Sequence, residues 1–233
     1  MQNWLVQKCL LGLALCVSTA QADIPWPQVM ERITSENKAL AKRPGGRAGT
    51  YFVVCTLYYT PKESGFTVER GFDSTTQTKP GLGGRAYNRD FLNAVHLEGI
   101  GRLQQPLNGL HYIRYEGRGR FGYTSRPTGY HRSRLASRVT CATNRRALGV
   151  SPFARVQFIS PWVKDLTGND SWIVGDTGAL RNYQVDLYWG EDEPMPGKAA
   201  RPDGTTFEYG FALLQVPAQV PKLKRSPSVI PPR

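Results

Sequence analysis

The sequence predicts a mainly β protein built around a closed barrel, with a helix ahead of the barrel. Six apolar runs rich in β-branched and aromatic residues are separated by glycine and proline turns, a pattern that favours a barrel of short strands. Helical periodicity occurs only before the first run and once within the long segment after it. The predicted strands lie at 51–60, 138–142, 154–160, 172–175, 185–189 and 207–216.

The helix ahead of the barrel is predicted at 26–42, within an N-terminal helical segment at 23–48. Pro27 suits a first helical turn, and Val29, Met30 and Ile33 form part of an apolar stripe. The prolines and glycines at 44–46 end the pattern. We expect this helix to pack on the outside of the barrel.

The strand at 185–189 carries the first candidate for chemistry. Alternate side chains of a strand point to opposite faces. Asp186 and Tyr188 should therefore share one face, with Asp176 in the turn just before the strand. A carboxylate on a rigid strand, next to an aromatic ring and a second carboxylate, suits acid/base chemistry. The alternative is that Asp176 caps a turn and Asp186 is solvated. Three apolar side chains should face the core: Val185, Leu187 and Trp189.

Two motifs resemble the 3D (Asp-Asp-Asp) domain, a double-psi β-barrel family related to membrane-bound lytic transglycosylase A. D-T-G-A-L-R-N-Y-Q-V-D-L-Y, from Asp176, is similar to the family pattern D-T-G-G-A-I-K-G-x-x-x-D-x-Y. Its spacer is one residue shorter, and Ala179 replaces the second glycine. Upstream, Y-T-P-K-E-S from Tyr59 resembles the family's opening Y-T-P-x-x-S. The resemblance implies a six-stranded double-psi β-barrel over 49–216, with a large loop and helix insertion at about 65–138.

The resemblance also implies an activity, that of a peptidoglycan lytic transglycosylase. Such an enzyme cleaves the bond between N-acetylmuramic acid and N-acetylglucosamine with 1,6-anhydro ring formation. Asp186 would be the catalytic acid and then the base, and Asp176 would orient the sugar or the catalytic carboxyl. Further residues would bind the substrate: Tyr59, Thr60, Lys62, Glu63, Thr177, Gly178 and Tyr188.

One departure from the family leaves two other functions open. The family's first aspartate follows a strand in a V-A-V-D-P pattern, whereas this chain has V-T-C-A-T-N from Val139, with Thr143 or Asn144 at that place. Neither side chain ionises near neutral pH. The alternatives are a non-catalytic, expansin-like cell-wall-binding module and a conventional glycoside hydrolase that uses Asp176 and Asp186 as a pair.

The N-terminus predicts an exported protein, either periplasmic or secreted, and the charge indicates its partners. Lys8 precedes a short apolar run, and Ala20-Gln21-Ala22 fits a cleavage site, which predicts a signal peptide at 1–22. The run is too short to span a bilayer. With 30 Lys and Arg against 18 Asp and Glu, the net charge of +12 favours anionic partners. Wall polymers and lipid head groups are such partners, and we expect no specific nucleic acid. The resemblance implies peptidoglycan glycan strands as the main partner.

Two cysteines remain in the chain after the predicted signal peptide is removed. Cys55 and Cys141 remain after signal removal, and an exported protein with two cysteines is expected to pair them in a disulfide. The alternative is two buried free thiols.

The three histidines have no zinc-type spacing, so we expect no metal site, and we expect no cofactor. The proline-rich segment at 217–233 is predicted to be a disordered basic tail.

Overall fold

The computed structural model describes residues 24–42 and 49–217. The predicted signal peptide and nearly all of the predicted tail lie outside these ranges. Helices in the described part are α1 (Trp26–Lys42), α2 (Arg89–Glu98), α3 (Arg145–Leu148) and α4 (Pro161–Thr167). The strands are β1 (Thr50–Pro61), β2 (Thr76–Gln77), β3 (Tyr87–Asn88), β4 (Ile100–Leu107), β5 (Leu110–Gly117), β6 (Arg120–Thr124), β7 (Thr140–Thr143), β8 (Arg155–Phe158), β9 (Ser171–Asp176), β10 (Gln184–Asp192), β11 (Pro194–Met195), β12 (Lys198–Pro202) and β13 (Tyr209–Gln215).

Six of these strands close into a barrel in the order β1, β10, β7, β9, β8, β13. The pairs β1–β10 and β7–β9 are parallel, and the other pairs are antiparallel. Closure removes the free sheet edges that short strands would otherwise expose. The predicted fold class is confirmed: a mainly β protein with a six-stranded barrel, an insertion and an N-terminal helix.

The barrel interior is filled by alternate side chains of its strands. Trp172 and Val174 of β9 and Val185 and Leu187 of β10 belong to one buried apolar cluster, and Trp172 is fully buried. The intervening positions face outwards. Because a small barrel has room only for side chains, the barrel encloses a core and not a ligand cavity, and any site must lie on its outer wall.

Trp189 corrects one prediction, since it is only partly buried and does not belong to the core. Tyr58 pairs with Tyr188, but Thr60 pairs with Glu191, so β10 has one residue more than β1 here. Such a bulge breaks the alternation of side chains. The Trp189 Nε1 instead donates a hydrogen bond to Asp192 at 3.0 Å.

The predicted disulfide is also corrected, because Cys55 and Cys141 are both buried free thiols. Cys55 on β1 pairs with Val185, and Cys141 on β7 pairs with Leu187, so β10 lies between the two cysteine strands. Two strand spacings amount to roughly 10 Å. A disulfide needs Cα atoms within about 7 Å of each other. The strand order therefore separates the two sulfur atoms.

Helix α1 packs on the outside of the barrel, at the position expected. Its Val29 and Ile33 are buried against Val54 of β1. The Asn37 side chain joins the two elements, since it donates to the Phe52 carbonyl and accepts from the Phe52 N–H, both at 2.8 Å. The apolar stripe read from the sequence is thus the packing face.

The insertion between β1 and β7 is a small packed unit with its own core. Strands β4, β5 and β6 form a separate three-stranded sheet, and α2 packs against it through Phe91, Val95 and Ile113. The Asn88 side chain caps α2 by accepting from the N–H groups of Asp90 and Phe91. No helix in the described ranges is long and apolar enough to cross a membrane.

A further apolar cluster joins the insertion to the outer wall of the barrel. Tyr58, Ala142 and Tyr188 belong to the barrel, and they meet Ile100 and Tyr112 from the insertion. The rings of Tyr58 and Tyr188 lie with centroids 5.1 Å apart. This contact fixes the insertion beside the strands that carry the two predicted aspartates.

Candidate active site

Asp176 and Asp186 lie in one row across the outer wall of the barrel. Asp186 of β10 pairs with Ala142 of β7, and Ala142 pairs with Asp176 of β9. The two aspartates therefore lie on either side of Ala142. Since neighbouring residues of a row share a face of the sheet, both carboxyl groups point away from the barrel core.

A bulge at Gly175 is what brings Asp176 to this face. Trp172 and Val174 point into the core, so strict alternation would send Asp176 there too. The register of β7 and β9 instead shifts by one residue, because Cys141 pairs with Val174 and Ala142 with Asp176. Bulges commonly turn a side chain towards a site in this way.

A cavity of about 800 Å³ lies between the outer wall of the barrel and the insertion. Its barrel wall includes Asp176 and Asp186, followed by Thr177 and Gly178 in the loop after β9. Ligand sites are typically concave spaces of this size with a few polar groups. The insertion contributes the opposite wall, with polar and charged side chains at His96, Glu98, Arg114, Tyr115 and Glu116.

Burial raises the pKa of Asp186 to about 7. The nearby Thr56 hydroxyl lowers this pKa, and the charge of Asp176 raises it further. Desolvation disfavours the ionised form of a carboxyl. Asp186 is therefore an acid that can hold its proton near neutral pH.

Burial also raises the pKa of Asp176, to about 6. Three nearby groups oppose this shift: the Thr177 N–H, which donates to Oδ1 at 2.8 Å, the Tyr58 hydroxyl and the backbone of Tyr130. The two aspartates thus differ in environment, because Asp176 is held by backbone donors while Asp186 is not. Such differences separate the roles of paired carboxyl groups in active sites.

Three buried oxygen atoms at this cavity have no hydrogen-bond partner among the described residues. They are Oδ1 of Asp186, the Tyr58 hydroxyl and Oγ1 of Thr128. The Tyr58 hydroxyl approaches Asp176, but not in the geometry of a hydrogen bond. Because buried polar groups are nearly always paired, this concentration at one wall indicates a place for a polar ligand.

Glu98 is a third carboxyl at the cavity, and the sequence reasoning missed it. It is the last residue of α2, and its Oε2 accepts a hydrogen bond from the Tyr59 N–H at 3.1 Å. The only sequence signal was an acid in the last helical turn, where the helix dipole disfavours a negative charge. No group of His, Cys, Asp and Glu side chains in the described ranges is arranged to hold a metal ion.

Three of the predicted substrate-binding residues are instead packed inside the protein. Tyr59 and Thr60 are fully buried, and Tyr188 is only 2% exposed. The Tyr59 hydroxyl donates to the Ala199 carbonyl at 2.6 Å, and the hydroxyls of Thr60 and Tyr188 bond each other at 2.7 Å. The structure thus corrects their predicted placement in the groove, because their polar groups already bond within the fold.

Lys62 and Glu63 also lie outside the cavity wall. Lys62 forms an isolated bridge with Arg102 of β4. Glu63 Oε2 accepts from the Gln104 N–H at 2.9 Å, and burial raises the pKa of its carboxyl. Both residues fix the start of the insertion to β4. Of the residues predicted from the sequence, the cavity brings together Asp176, Asp186, Thr177 and Gly178.

The two residues at the place of the family's first aspartate have structural partners. The Thr143 hydroxyl is buried and donates to the Gln184 carbonyl at 2.8 Å. The Asn144 side chain caps α3 by accepting from the Ala147 N–H. Thr143 and Asn144 thus bond to the backbone, and the acids that line the cavity are Asp176, Asp186, Glu98 and Glu116.

No family model matches the chain, and no curated protein matches it. The resemblance to the 3D domain therefore stays a prediction. Among solved structures, the membrane-bound lytic murein transglycosylase from Agrobacterium tumefaciens aligns at 12% identity over 79% of this chain and 84% of its own, with a TM-score of 0.46. E. coli MltA with bound chitohexaose aligns at 12% identity over 81% and 83%, with a TM-score of 0.43. The lytic transglycosylase LtgG of Burkholderia pseudomallei aligns at 14% identity over 88% and 99%, with a TM-score of 0.37.

Proposed function

We propose that this chain is a peptidoglycan lytic transglycosylase and that Asp186 is its catalytic acid and base. The observation that carries the proposal is the setting of Asp186. Its carboxyl lies at the wall of the cavity, with a pKa near 7 and with Oδ1 free of any hydrogen bond to a described residue. The D-T-G and D-L-Y motifs around Asp176 and Asp186, which resemble those of the 3D domain, supply the reaction class.

In the first step, Asp186 acts as a general acid. The protonated carboxyl donates its proton to the glycosidic oxygen between N-acetylmuramic acid and N-acetylglucosamine. The bond from that oxygen to the muramyl C1 breaks, and its electron pair stays with the oxygen. Efficient proton transfer near neutral pH requires an acid whose pKa lies close to the working pH, and burial gives Asp186 such a value.

In the second step, the same carboxyl acts as a base. The Asp186 carboxylate takes the proton of the muramyl C6 hydroxyl, whose oxygen bonds to C1 and closes the 1,6-anhydro ring. Asp186 ends the cycle protonated, as it began, and no water is consumed. Hydrolases instead divide these tasks between two carboxyl groups.

Asp176 and the residues around it would position the sugar. Its Oδ1 is held by the Thr177 N–H, and Thr177 and Gly178 are exposed at the cavity wall. The hydroxyls of Tyr58 and Thr128 point to the same space without partners in the described part of the chain. Hydroxyl and carboxylate groups of this kind suit the hydroxyl and acetamido groups of an amino sugar.

Anionic stem peptides and wall polymers are proposed as further contacts. Residues 118–164 contain nine arginines and no Asp or Glu. Of these arginines, only Arg120 forms an ion pair with a described residue. Arg126, Arg132 and Arg134 are exposed in the loop that carries the cavity residues Thr128 and Tyr130. Guanidinium groups bind carboxylates through paired hydrogen bonds. Export to the periplasm or beyond, as the predicted signal peptide implies, would bring the protein to this substrate.

The test of the proposed function is the analysis of products released from purified sacculi by mass spectrometry. A lytic transglycosylase releases muropeptides that end in 1,6-anhydro-N-acetylmuramic acid. Reducing-end products would instead identify a conventional hydrolase, and pelleting with sacculi without release would identify a wall-binding module. Asp186→Asn should abolish release and preserve pelleting, while the matched change of an exposed acid on α4, Asp165→Asn, should alter neither.

A further inference from the structure

Phe153 lies just before β8 and combines two unfavourable features. The residue is 50% exposed, and its backbone has a φ of 61°. The left-handed region of backbone conformation is costly for a bulky side chain. A single exposed apolar residue is ordinary, but an exposed ring on such a backbone is not. Conformations of this kind persist only where the surrounding structure enforces them, and they cluster at ligand sites.

Backbone hydrogen bonds to β9 hold Phe153 in this conformation. The Phe153 N–H donates to the Val174 carbonyl at 2.8 Å, and the Val174 N–H donates to the Ala154 carbonyl at 2.9 Å. Val174 and Ala154 pack in the barrel core, whereas Phe153 does not belong to it. The fold therefore fixes the Phe153 backbone and leaves the ring outside.

Tyr130 connects Phe153 to the cavity. Tyr130 lines the cavity, and its ring centroid lies 6.5 Å from that of Phe153. The Arg145 guanidinium lies 4.2 Å from the centre of the Tyr130 ring, and the His131 ring centroid lies 4.0 Å from it. Cation and ring contacts of this kind hold an aromatic side chain in place. The Tyr130 ring is therefore already packed, and the Phe153 ring is the one open to a ligand.

The strand order places Phe153 on the far side of Asp176 from Asp186. Asp186 lies on β10 and Asp176 on β9, with β7 between them, and Phe153 leads into β8, the next strand of the barrel. Three strand spacings amount to roughly 14 Å. A glycan strand whose cleaved bond lies at Asp186 can thus run past Asp176 and reach Phe153 with a sugar further along.

We propose that Phe153 and Tyr130 form a second sugar subsite, at which an N-acetylated amino sugar of the same glycan strand stacks on the Phe153 ring. The choice of a glycan as ligand rests on the proposed function. One face of a sugar ring carries C–H groups, which the negative face of an aromatic ring attracts. The Tyr130 hydroxyl and the Arg145 guanidinium, which forms no ion pair with a described residue, offer polar contacts beside it. Because the backbone already fixes Phe153, little conformational freedom is lost on binding.

The subsite is tested without catalysis by isothermal titration calorimetry of the full chain with N-acetylglucosamine oligomers, from chitobiose to chitohexaose. The affinity of the unaltered protein should rise once an oligomer is long enough to reach Phe153. Phe153→Ala should lose this rise and bind chitohexaose about threefold to tenfold more weakly. Phe153→Tyr should bind like the unaltered protein, and so should Ile159→Ala, a change of another exposed apolar residue.

Two results of this titration would overturn the proposal. One is a Phe153→Ala protein that binds every oligomer as the unaltered protein does. The other is a loss of the same size for chitobiose and chitohexaose, since a subsite away from the cavity affects only long ligands. An unaltered protein without affinity for any oligomer would also reject the subsite.

Phe153→Asn separates binding from folding. Asn tolerates the left-handed backbone better than Phe does. This variant should therefore raise the melting temperature and still lose the length-dependent affinity, as expected where a function is kept at a cost in stability. A lowered melting temperature would show that the fold needs the ring and would overturn the proposal.

The catalytic consequence is tested on glycan strands purified from sacculi. Phe153→Ala should raise KM for long strands and leave kcat unchanged, because a sugar held away from the cleaved bond is bound equally before and during the reaction. A fall in kcat at unchanged KM would place Phe153 in the chemistry and reject the subsite. If the unaltered protein released no anhydro product, the proposed function would fail, while oligomer binding would still decide on the subsite.

Discussion

Gly129 lies directly against Asp176. A Cβ atom on Gly129 would stand 2.9 Å from Asp176 Cγ, 2.7 Å from the Gly175 carbonyl oxygen and 2.7 Å from a methyl group of Leu135. Only a residue without a side chain allows the loop before β7 to approach β9 this closely. The loop in turn supplies Thr128 and Tyr130 to the cavity wall. The loop before β7 therefore packs over the Gly175 bulge through Gly129.

Gly129→Ala should consequently damage the site more than its small size suggests. The added methyl group must push the loop away from Asp176 and remove the Tyr130 backbone contact that lowers the pKa of this carboxyl. We expect a loss of about 1 to 3 kcal/mol in the free energy of unfolding, as for an overpacked position. Anhydro-product release should fall at least tenfold. Gly109→Ala, at a turn with no atom within 4 Å of the added methyl, is the control for release; unaltered release in Gly129→Ala would show that the loop does not shape the site.

Asp186 should make the protein less stable as the pH rises. Its folded pKa is about 7 against 3.8 for a free carboxyl, so the folded state binds more protons than the unfolded chain between these values. Stability is then fully present below about pH 4 and is lost as the pH rises towards 7. Asp186→Asn removes the buried charge and should raise the free energy of unfolding at pH 8 by roughly 1 to 4 kcal/mol.

Urea unfolding at pH 4 and pH 8 measures this effect. The gain in Asp186→Asn should be large at pH 8 and small at pH 4, and Asp165→Asn should show no such difference. Combined with a loss of product release, the gain would mean that the acid is kept at a cost in stability, which is common at active sites. A destabilised Asp186→Asn protein at pH 8 would contradict the raised pKa.

The barrel could be predicted from the sequence because its evidence is local. Alternation at 185–189, β-branched runs and glycine or proline turns each report on a few adjacent residues, and the cap at Asn88 does the same for α2. The same patterns placed Asp186 on the outer face. Trp189 was misplaced because a bulge adds one residue to β10. Gly190, whose φ is 117°, was the one sequence signal for it, since a glycine within a strand often marks a bulge.

The other half of the cavity could not be predicted in this way. Glu98 and Asp186 line the same cavity because the insertion folds back onto the barrel through Tyr58, Ile100 and Tyr112, and such contacts leave no periodic signal. The placement of Tyr59 failed for a related reason. A residue such as Tyr59 can fit a family motif and still be packed in the core. Only the folded structure shows whether its side chain lines a site or is buried.

The two cysteines give a direct test of the strand order. Burial raises the pKa of both thiols, so they should be unreactive in the folded protein. In a chain that begins at Asp23, an alkylating reagent should modify no cysteine under native conditions and two after unfolding in urea. A reducing agent should leave the melting temperature unchanged. Two cysteines protected after unfolding without reductant would instead establish the disulfide.

The exposed arginines beside the cavity should select substrates that carry anionic stems. Replacing Arg126, Arg132 and Arg134 by Gln removes three charges from the loop that lines the site without touching a described ion pair. Exposed charge pairs contribute up to about 1 kcal/mol each. Affinity for stem-bearing glycan strands should therefore fall by about tenfold to a hundredfold at low salt.

The matched control removes three charges elsewhere, by replacing Lys38, Lys42 and Lys164 with Gln. These lysines are exposed on α1 and α4, away from the cavity. Binding is measured by pelleting with intact sacculi and with sacculi stripped of their peptides by an amidase. The arginine variant should lose affinity for the intact material alone, and its deficit should shrink as salt screens the charges. Equal losses in both triple variants would show that only net charge matters and that the loop has no specific role.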